Sequence, residues 1–129
     1  MALDYTIDSR RQVVTITGEF ASATEWLLLT GRLRRDPGFK PHSKFLRDVR
    51  GATHPPNNAM AAAIFKVIQR FWPELQVARW AVVTDHEYDA VPATMQALGE
   101  QAGLAIRVFT DPDEALDWLD DDVGRSILT

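Results

Sequence analysis

The first part of the chain alternates between apolar and polar positions, as a β-strand with one buried face does. Two segments show this period, "DYTIDSR" and "QVVTITGEF". A tight turn near Arg10 and Arg11 would join them, so we predict an opening β-hairpin. In the second segment the two faces are Val14, Ile16 and Gly18 on one side and Val13, Thr15 and Thr17 on the other.

The period then changes to that of a helix in "ASATEWLLLTGRLRRDPGF". Ser22 or Thr24 can cap this helix by accepting a hydrogen bond from a backbone N–H of the first turn. The proline and glycine of "DPGF" end it. Leu28 falls on the side opposite the face that we predict to be buried. That buried face contains Trp26, Leu29, Thr30 and Leu33.

Three further apolar segments, "KFLRDV", "RWAVVTD" and "LAIRVFTD", are typical of strands, and each precedes a segment of helical period. In the last helix Asp111 is the predicted cap, Pro112 occupies the first turn and Trp118 packs against the core. The order ββαβαβαβα calls for right-handed parallel crossovers. The sequence therefore predicts an α/β fold in one domain, residues 1–122, with a mixed five-stranded sheet flanked by helices. Residues 123–129 are predicted to form a loose tail.

The second predicted helix, "NNAMAAAIFKVIQRFWPE", has an apolar arc that is wider than packing on a sheet requires. Phe65 and Trp72 lie at one border of this arc. Three interpretations stay open for this extra apolar surface: burial in the core, a homodimer through Phe65 and Trp72, or a groove for a small apolar ligand. Leu28 of the first helix could join the same surface if the two helices are neighbours. The core side of the arc is Met60, Ile64, Val67, Ile68 and Phe71.

Composition excludes several classes of protein. The chain has 129 residues, 46% of them apolar, and no cysteine, which excludes disulfides, thiolate zinc sites and cysteine nucleophiles. No apolar run is long enough to span a membrane, and the N-terminus lacks the apolar region of a signal peptide. We therefore expect a cytoplasmic protein without a membrane span.

Charge is unevenly distributed along the chain, although the net charge is only −4. Residues 32–50 contain seven lysines or arginines and two acids, whereas residues 85–122 contain eleven acids and one arginine. Within the basic segment the aromatic residues are Phe39 and Phe45, too few to form a base-stacking platform. We therefore expect no nucleic-acid partner.

Polar residues follow the third, fourth and fifth predicted strands, whose carboxyl ends should meet at one edge of the sheet. Two interpretations stay open for this edge. In the first, the histidines and carboxylates form a weak metal site or a general base, and His54 and His86 would serve a small metal-dependent or hydrolytic enzyme. In the second, Asp48 and Arg50 pair with each other or bond backbone amides, and both histidines lie in water. The candidate residues are Asp48, Arg50, Thr53, His54, Asp85, His86, Thr110 and Asp111.

The second interpretation is favoured because the chain has no metal-protease motif, no glycine-rich phosphate loop and no nucleophile elbow. We predict no cofactor and no firm metal site. The candidate binding residues are Asp48, Arg50, Thr53, His54, Phe65 and Trp72.

Five short motifs occur in the order found in a known family: "RRDPGF", "FLRDVRG", "WAVVTD", "RVFTD" and "ALDWL". With this order and spacing the chain resembles the SpoIIAA-like proteins of the STAS-type fold over residues 4–119. The resemblance implies a small mixed-sheet α/β domain of a usually non-enzymatic kind, and related folds bind proteins, nucleotides or lipids. It also implies a phosphorylated serine after the third strand, but "GATHPPNNAM" has only the hydroxyl of Thr53.

Taken together, these features predict a non-catalytic binding or regulatory module. Its partner would be another protein or a small apolar, lipid-like ligand.

Overall fold

A five-stranded sheet forms the centre of the computed structural model, which describes residues 3–18, 23–50, 62, 65–66, 69–70, 79–85, 96–101 and 105–120. The strands lie side by side in chain order. The first pairs antiparallel with the second, and the other three pairs are parallel. The predicted α/β fold with a mixed five-stranded sheet is confirmed. The strands are β1 (Asp4–Asp8), β2 (Val13–Thr17), β3 (Lys44–Asp48), β4 (Trp80–Val83) and β5 (Ile106–Phe109).

The opening hairpin has the turn that the sequence predicts. Asp8 Oδ1 accepts hydrogen bonds from the backbone N–H groups of Arg10 at 3.1 Å and Arg11 at 3.2 Å. The chain closes the turn with Gln12 in the left-handed region at a φ of 55°. This geometry places Asp8 opposite Val13 and fixes the register of β1 against β2.

The helices alternate with the parallel strands. α1 (Ala23–Arg35) joins β2 to β3, and α2 (Pro112–Asp120) follows β5. Residues 62, 65–66 and 69–70 are helical between β3 and β4, and residues 96–101 are helical between β4 and β5. Because successive parallel strands always step in the same direction across the sheet, right-handed crossovers place all the intervening helices on one face.

The larger core lies on that face. α1 contributes Trp26, Leu29 and Leu33, which are between 1% and 5% exposed, as the helical period predicted. Phe65 and Leu98 from the next two helical segments join the same cluster. The sheet contributes Val14, Ile16, Phe45, Val49, Trp80, Val82 and Ile106.

The opposite face of the sheet is covered by α2. Ala115 and Leu119 are buried there against the other set of strand residues, Val13, Leu46, Ala81 and Val83. Asp111 caps α2 as predicted, because its Oδ1 accepts the N–H of Asp113 at 2.9 Å. Trp118 is half-buried and packs against the Phe109 ring with a centroid distance of 5.7 Å.

Charged groups fix the far end of α2 to the amino-terminal edge of the sheet. Asp120 forms ion pairs with Arg11 and with Lys44, the latter at 3.5 Å. Arg79 lies over the Trp118 ring, 4.8 Å from its centroid, and donates a hydrogen bond to the Trp118 carbonyl. These contacts lie at the amino-terminal edge of the sheet. They leave the opposite, carboxyl edge, where the side chains at the strand ends lie, uncovered by this end of α2.

Residues 96–101 pack closely against the edge strand β5. Gln96 Oε1 accepts the outward N–H of Val108 at 3.0 Å, which satisfies a backbone donor that the sheet leaves unpaired. Gly99 is buried, and a Cβ at this position would lie 2.8 Å from Ile106 Cδ1. The glycine therefore allows the helical segment to approach β5, and this approach sets the position of Leu98 and Gln101.

Candidate functional site

The predicted polar edge begins with a tight pair between Asp48 and Arg50. Asp48 Oδ1 accepts the backbone N–H of Arg50 and its Nε–H, both at 3.0 Å, and Oδ2 accepts from Arg50 Nη2 at 2.8 Å. The pair forms because β3 ends at Asp48 and the chain turns at Arg50, which returns the guanidinium to the carboxylate. The Asp48–Arg50 pair of the second interpretation is therefore present in the structure, whereas His54 and His86 lie outside the described residues.

Asp48 and Arg50 shift each other's pKa values at this edge. Burial raises the pKa of Asp48, but the hydrogen bonds from Arg50 and the charges of Arg50 and Arg47 outweigh it and hold that pKa below its ordinary value. The carboxylate of Asp48 raises the pKa of Arg50, and Asp85 and Asp111 act in the same direction. An ionised carboxylate whose oxygens already accept three hydrogen bonds is a weak general base.

The stability of the protein should therefore decrease as the pH falls below about 4. The folded-state pKa of Asp48 lies below its unfolded value, so the unfolded chain takes up the proton first and acid favours unfolding. Asp36 acts in the same sense, because hydrogen bonds from the Tyr5 hydroxyl at 2.7 Å and the Gly38 N–H at 2.8 Å lower its pKa.

Urea unfolding followed by circular dichroism at several pH values measures this effect. Asp48→Asn should make the free energy of unfolding depend less on pH in acid, and adding Asp36→Asn should reduce this dependence further. A double variant with the acid dependence of the wild type would show that these two carboxylates are not its source.

Arg47 is a buried cation at this edge that the sequence analysis missed. It is 4% exposed and lies on the face of β3 covered by α1. Its guanidinium donates to the carbonyls of Ile16 at 3.3 Å and Gly18 at 3.1 Å, which end β2, and to the Asp48 carbonyl at 3.3 Å. The signal was present in "KFLRDV": a strand period of two puts Arg47 on the same face as Phe45 and Val49.

Arg47 also contacts α1 through Trp26. The guanidinium carbon lies 5.6 Å from the Trp26 ring centroid, a cation–π distance. Trp26 Nε1 is itself buried and has no hydrogen-bond acceptor in the described part of the chain. Arg47 therefore joins the end of β2 to the first turns of α1 and acts as a structural cation.

A groove lies between the two helical segments that cover β3, β4 and β5. It has a volume of about 310 Å³ and opens to solvent. Phe65 and Leu98 form its apolar floor, and Lys66, Gln69 and Gln101, all exposed, form a polar rim. Ala62 completes the described lining, in which no residue carries a carboxylate. The arrangement can hold a small molecule that has an apolar body and an acceptor group.

The sequence places Phe65 at one border of the apolar arc of the second helix. The side chain is 5% exposed and belongs to the larger core, so the structure favours the core interpretation over an exposed contact. Its remaining surface faces the groove. The homodimer through Phe65 and Trp72 stays a prediction, because Trp72 lies outside the described residues.

Thr53, His54 and His86 also lie outside the described residues, so the enzyme hypothesis that uses the two histidines stays a prediction. Thr110 is exposed at the end of β5, and Asp111 serves as the cap of α2. Among the residues that the structure does describe, no three histidine, aspartate or glutamate side chains are arranged to hold a metal ion. No described helix is long and apolar enough to cross a membrane.

Comparison with known proteins yields no relative: no protein-family model, no curated protein and no solved structure matches the chain.

Proposed function

We propose that this protein is a non-catalytic binding module whose ligand is a small apolar molecule with an anionic group. The observation that carries the proposal is the groove between the second and third helical segments, with its apolar floor and its cationic and amide rim.

The lining of the groove defines the class of ligand. Its volume of about 310 Å³ falls at the lower end of the range for small-molecule sites. An alkyl chain would cover Phe65 and Leu98, and a carboxylate would face the Lys66 ammonium and accept from the amide groups of Gln69 and Gln101. A medium-chain fatty acid has this chemistry, and a cationic ligand would leave Lys66 facing a like charge.

Two further observations support binding without catalysis. At the carboxyl edge, Asp48 and Arg50 already pair with each other within the protein. The resemblance to SpoIIAA-like proteins of the STAS-type fold, which we retain as a proposal, implies a usually non-enzymatic domain, and lipid binders occur among related folds. A cytoplasmic location agrees with this role and is proposed with it.

Calorimetric titration with decanoate below its micelle concentration tests the proposal. We expect decanoate to bind at least tenfold more tightly than decanol or decyltrimethylammonium, because only decanoate pairs with Lys66. Lys66→Glu should weaken decanoate binding at least tenfold, about 1.4 kcal/mol, and Ala62→Trp should block it by filling the groove. Lys40→Glu is the matched control, since Lys40 is an exposed lysine outside the groove.

Two results would contradict the proposal. One is equal binding of decanoate and decyltrimethylammonium, and the other is decanoate binding that survives both Lys66→Glu and Ala62→Trp. The thermal unfolding of each variant establishes that it is folded before it is titrated.

A further inference from the structure

The helical segment 96–101 lies between β5 and the groove and turns one side to each. At about 100° per residue, Gln96 and Gly99 point in similar directions, and Leu98 and Gln101 point in nearly the opposite direction. The first pair contacts β5, and the second pair lines the groove. The segment is therefore one wall of the groove, and its distance from β5 sets the width of the groove.

The contact between Gly99 and Ile106 leaves no room for a side chain at the position of the glycine. A Cβ there would lie 2.8 Å from Ile106 Cδ1, 2.9 Å from Cγ1 and 3.1 Å from Cβ. Non-bonded carbon atoms pack best at about 3.5 to 4.0 Å. Because the Cβ of Ile106 is itself close, rotation of the Ile106 side chain alone does not relieve the contact.

β5 is held in place by its neighbours in the sheet and in the core. Ile106 is 5% exposed, lies opposite Trp80 of β4 and belongs to the larger core. A side chain on residue 99 would therefore displace the helical segment, by roughly 0.7 Å or more, to reach ordinary contact distance. The displacement is directed away from β5, so Leu98 and Gln101 would advance into the groove and narrow it.

We infer that Gly99 is a specificity-determining residue of the groove, because it sets how thick an apolar body the groove admits. This inference rests on the proposed function and names the shape of its ligand. The volume of about 310 Å³ lies within the range of small-molecule sites, so the groove takes a saturated ring as well as an alkyl chain. A ring is thicker than an unbranched chain, and a narrower groove therefore excludes the ring first.

Calorimetric titration with two acids that have equal numbers of carbon atoms tests the inference. Decanoate has a straight chain, and cyclohexylbutanoate carries a ring. Gly99→Ala should weaken the binding of cyclohexylbutanoate at least tenfold and that of decanoate by about threefold or less. In an Ile106→Ala background the same glycine substitution should have little effect, because the atoms at 2.8 and 2.9 Å are gone.

Gly31→Ala is the matched control, because it makes the same chemical change in α1, outside the groove. A Cβ on Gly31 would have its nearest neighbour at 3.6 Å, an ordinary contact. The control should change the binding of neither acid. The thermal unfolding of each variant establishes that it is folded before it is titrated.

Hydrogen exchange without ligand separates this inference from the proposed function. Gln96 Oε1 accepts the Val108 N–H at 3.0 Å, and this bond lengthens if the helical segment moves off β5. Gly99→Ala should therefore speed exchange of the Val108 amide at least tenfold in the wild-type background and much less in the Ile106→Ala background. Gly31→Ala should leave the exchange rate unchanged.

The outcomes distinguish the two proposals. If the wild type does not bind decanoate, the proposed function fails and the specificity role of Gly99 fails with it, whatever the exchange of the Val108 amide. The inference alone is overturned if the wild type binds decanoate but not cyclohexylbutanoate, or if Gly99→Ala weakens both acids equally. It is also overturned if Gly99→Ala changes neither the binding of cyclohexylbutanoate nor the exchange of the Val108 amide.

Discussion

Replacing Arg47 by alanine should lower the free energy of unfolding by about 3 to 5 kcal/mol. The substitution leaves the carbonyls of Ile16 and Gly18 without the donor that they use in the folded state. Each buried polar group left unsatisfied costs about 1 to 3 kcal/mol. The side chain also packs beneath Trp26, so truncation opens space in the larger core. Urea unfolding followed by tryptophan fluorescence measures the change.

Arg50→Ala is the matched control, because it makes the same chemical change at the end of the same strand. Arg50 is exposed and pairs with Asp48 at the surface, where solvent screens the pair, so Arg50→Ala should lower the free energy of unfolding far less than Arg47→Ala does. Arg47→Lys should lower the free energy of unfolding by an amount between those of the two alanine variants. An ammonium lacks the forked arrangement of N–H donors with which the guanidinium reaches two carbonyls. If Arg47→Ala costs no more than Arg50→Ala, Arg47 is not the structural cation described above.

Phe45→Ala should also lower the free energy of unfolding by about 3 to 5 kcal/mol. Phe45 is 1% exposed and lies in the middle strand of the sheet. Its ring stacks on Trp80 with a centroid distance of 5.0 Å and meets Phe39 edge-on at 6.2 Å. Alanine removes this ring from a close-packed core. The surrounding side chains can fill the vacated space only in part, so a cavity remains. Chemical unfolding gives the magnitude.

Two variants show how much of this effect comes from position and how much from aromatic contact. Phe39→Ala deletes the same atoms from a half-exposed residue. It should lower the free energy of unfolding clearly less than Phe45→Ala does. Phe45→Leu keeps most of the apolar volume and should lose about 0.5 to 1.5 kcal/mol of aromatic pairing beyond the buried area. Equal costs for Phe45→Ala and Phe39→Ala would contradict the placement of Phe45 at the centre of the core.

Features set by neighbouring residues could be read from the sequence. The hairpin turn, the inward face of α1 and the exposed Leu28 follow from strand and helix periods. The cap at Asp111 follows from the preference of a carboxylate for the first N–H groups of a helix. The alternation of strands with helices then restricted the topology to parallel crossovers.

Features that depend on distant residues could not be read in the same way. The burial of Arg47 depends on carbonyls about thirty residues earlier in the chain, at the end of β2. The groove depends on Gly99, which lets its helical segment approach Ile106. Phe65 looked peripheral on a helical projection, which takes no account of the helical segment beside it.

The carboxyl edge of the sheet and the groove differ in how their charged groups are satisfied. The carboxyl edge holds charged groups that already satisfy one another, as Asp48 and Arg50 show. The groove, in contrast, has the apolar surface of Phe65 and Leu98 next to the cation of Lys66.

Backbone amide NMR during a decanoate titration tests the central claim most directly, because it locates the ligand on the folded protein. We predict that the largest chemical-shift changes occur at Lys66, Gln69, Leu98 and Gln101, and that Lys66→Glu suppresses them. Largest changes at Asp48, Arg50 and Asp85 instead, or no changes below the micelle concentration, would contradict it.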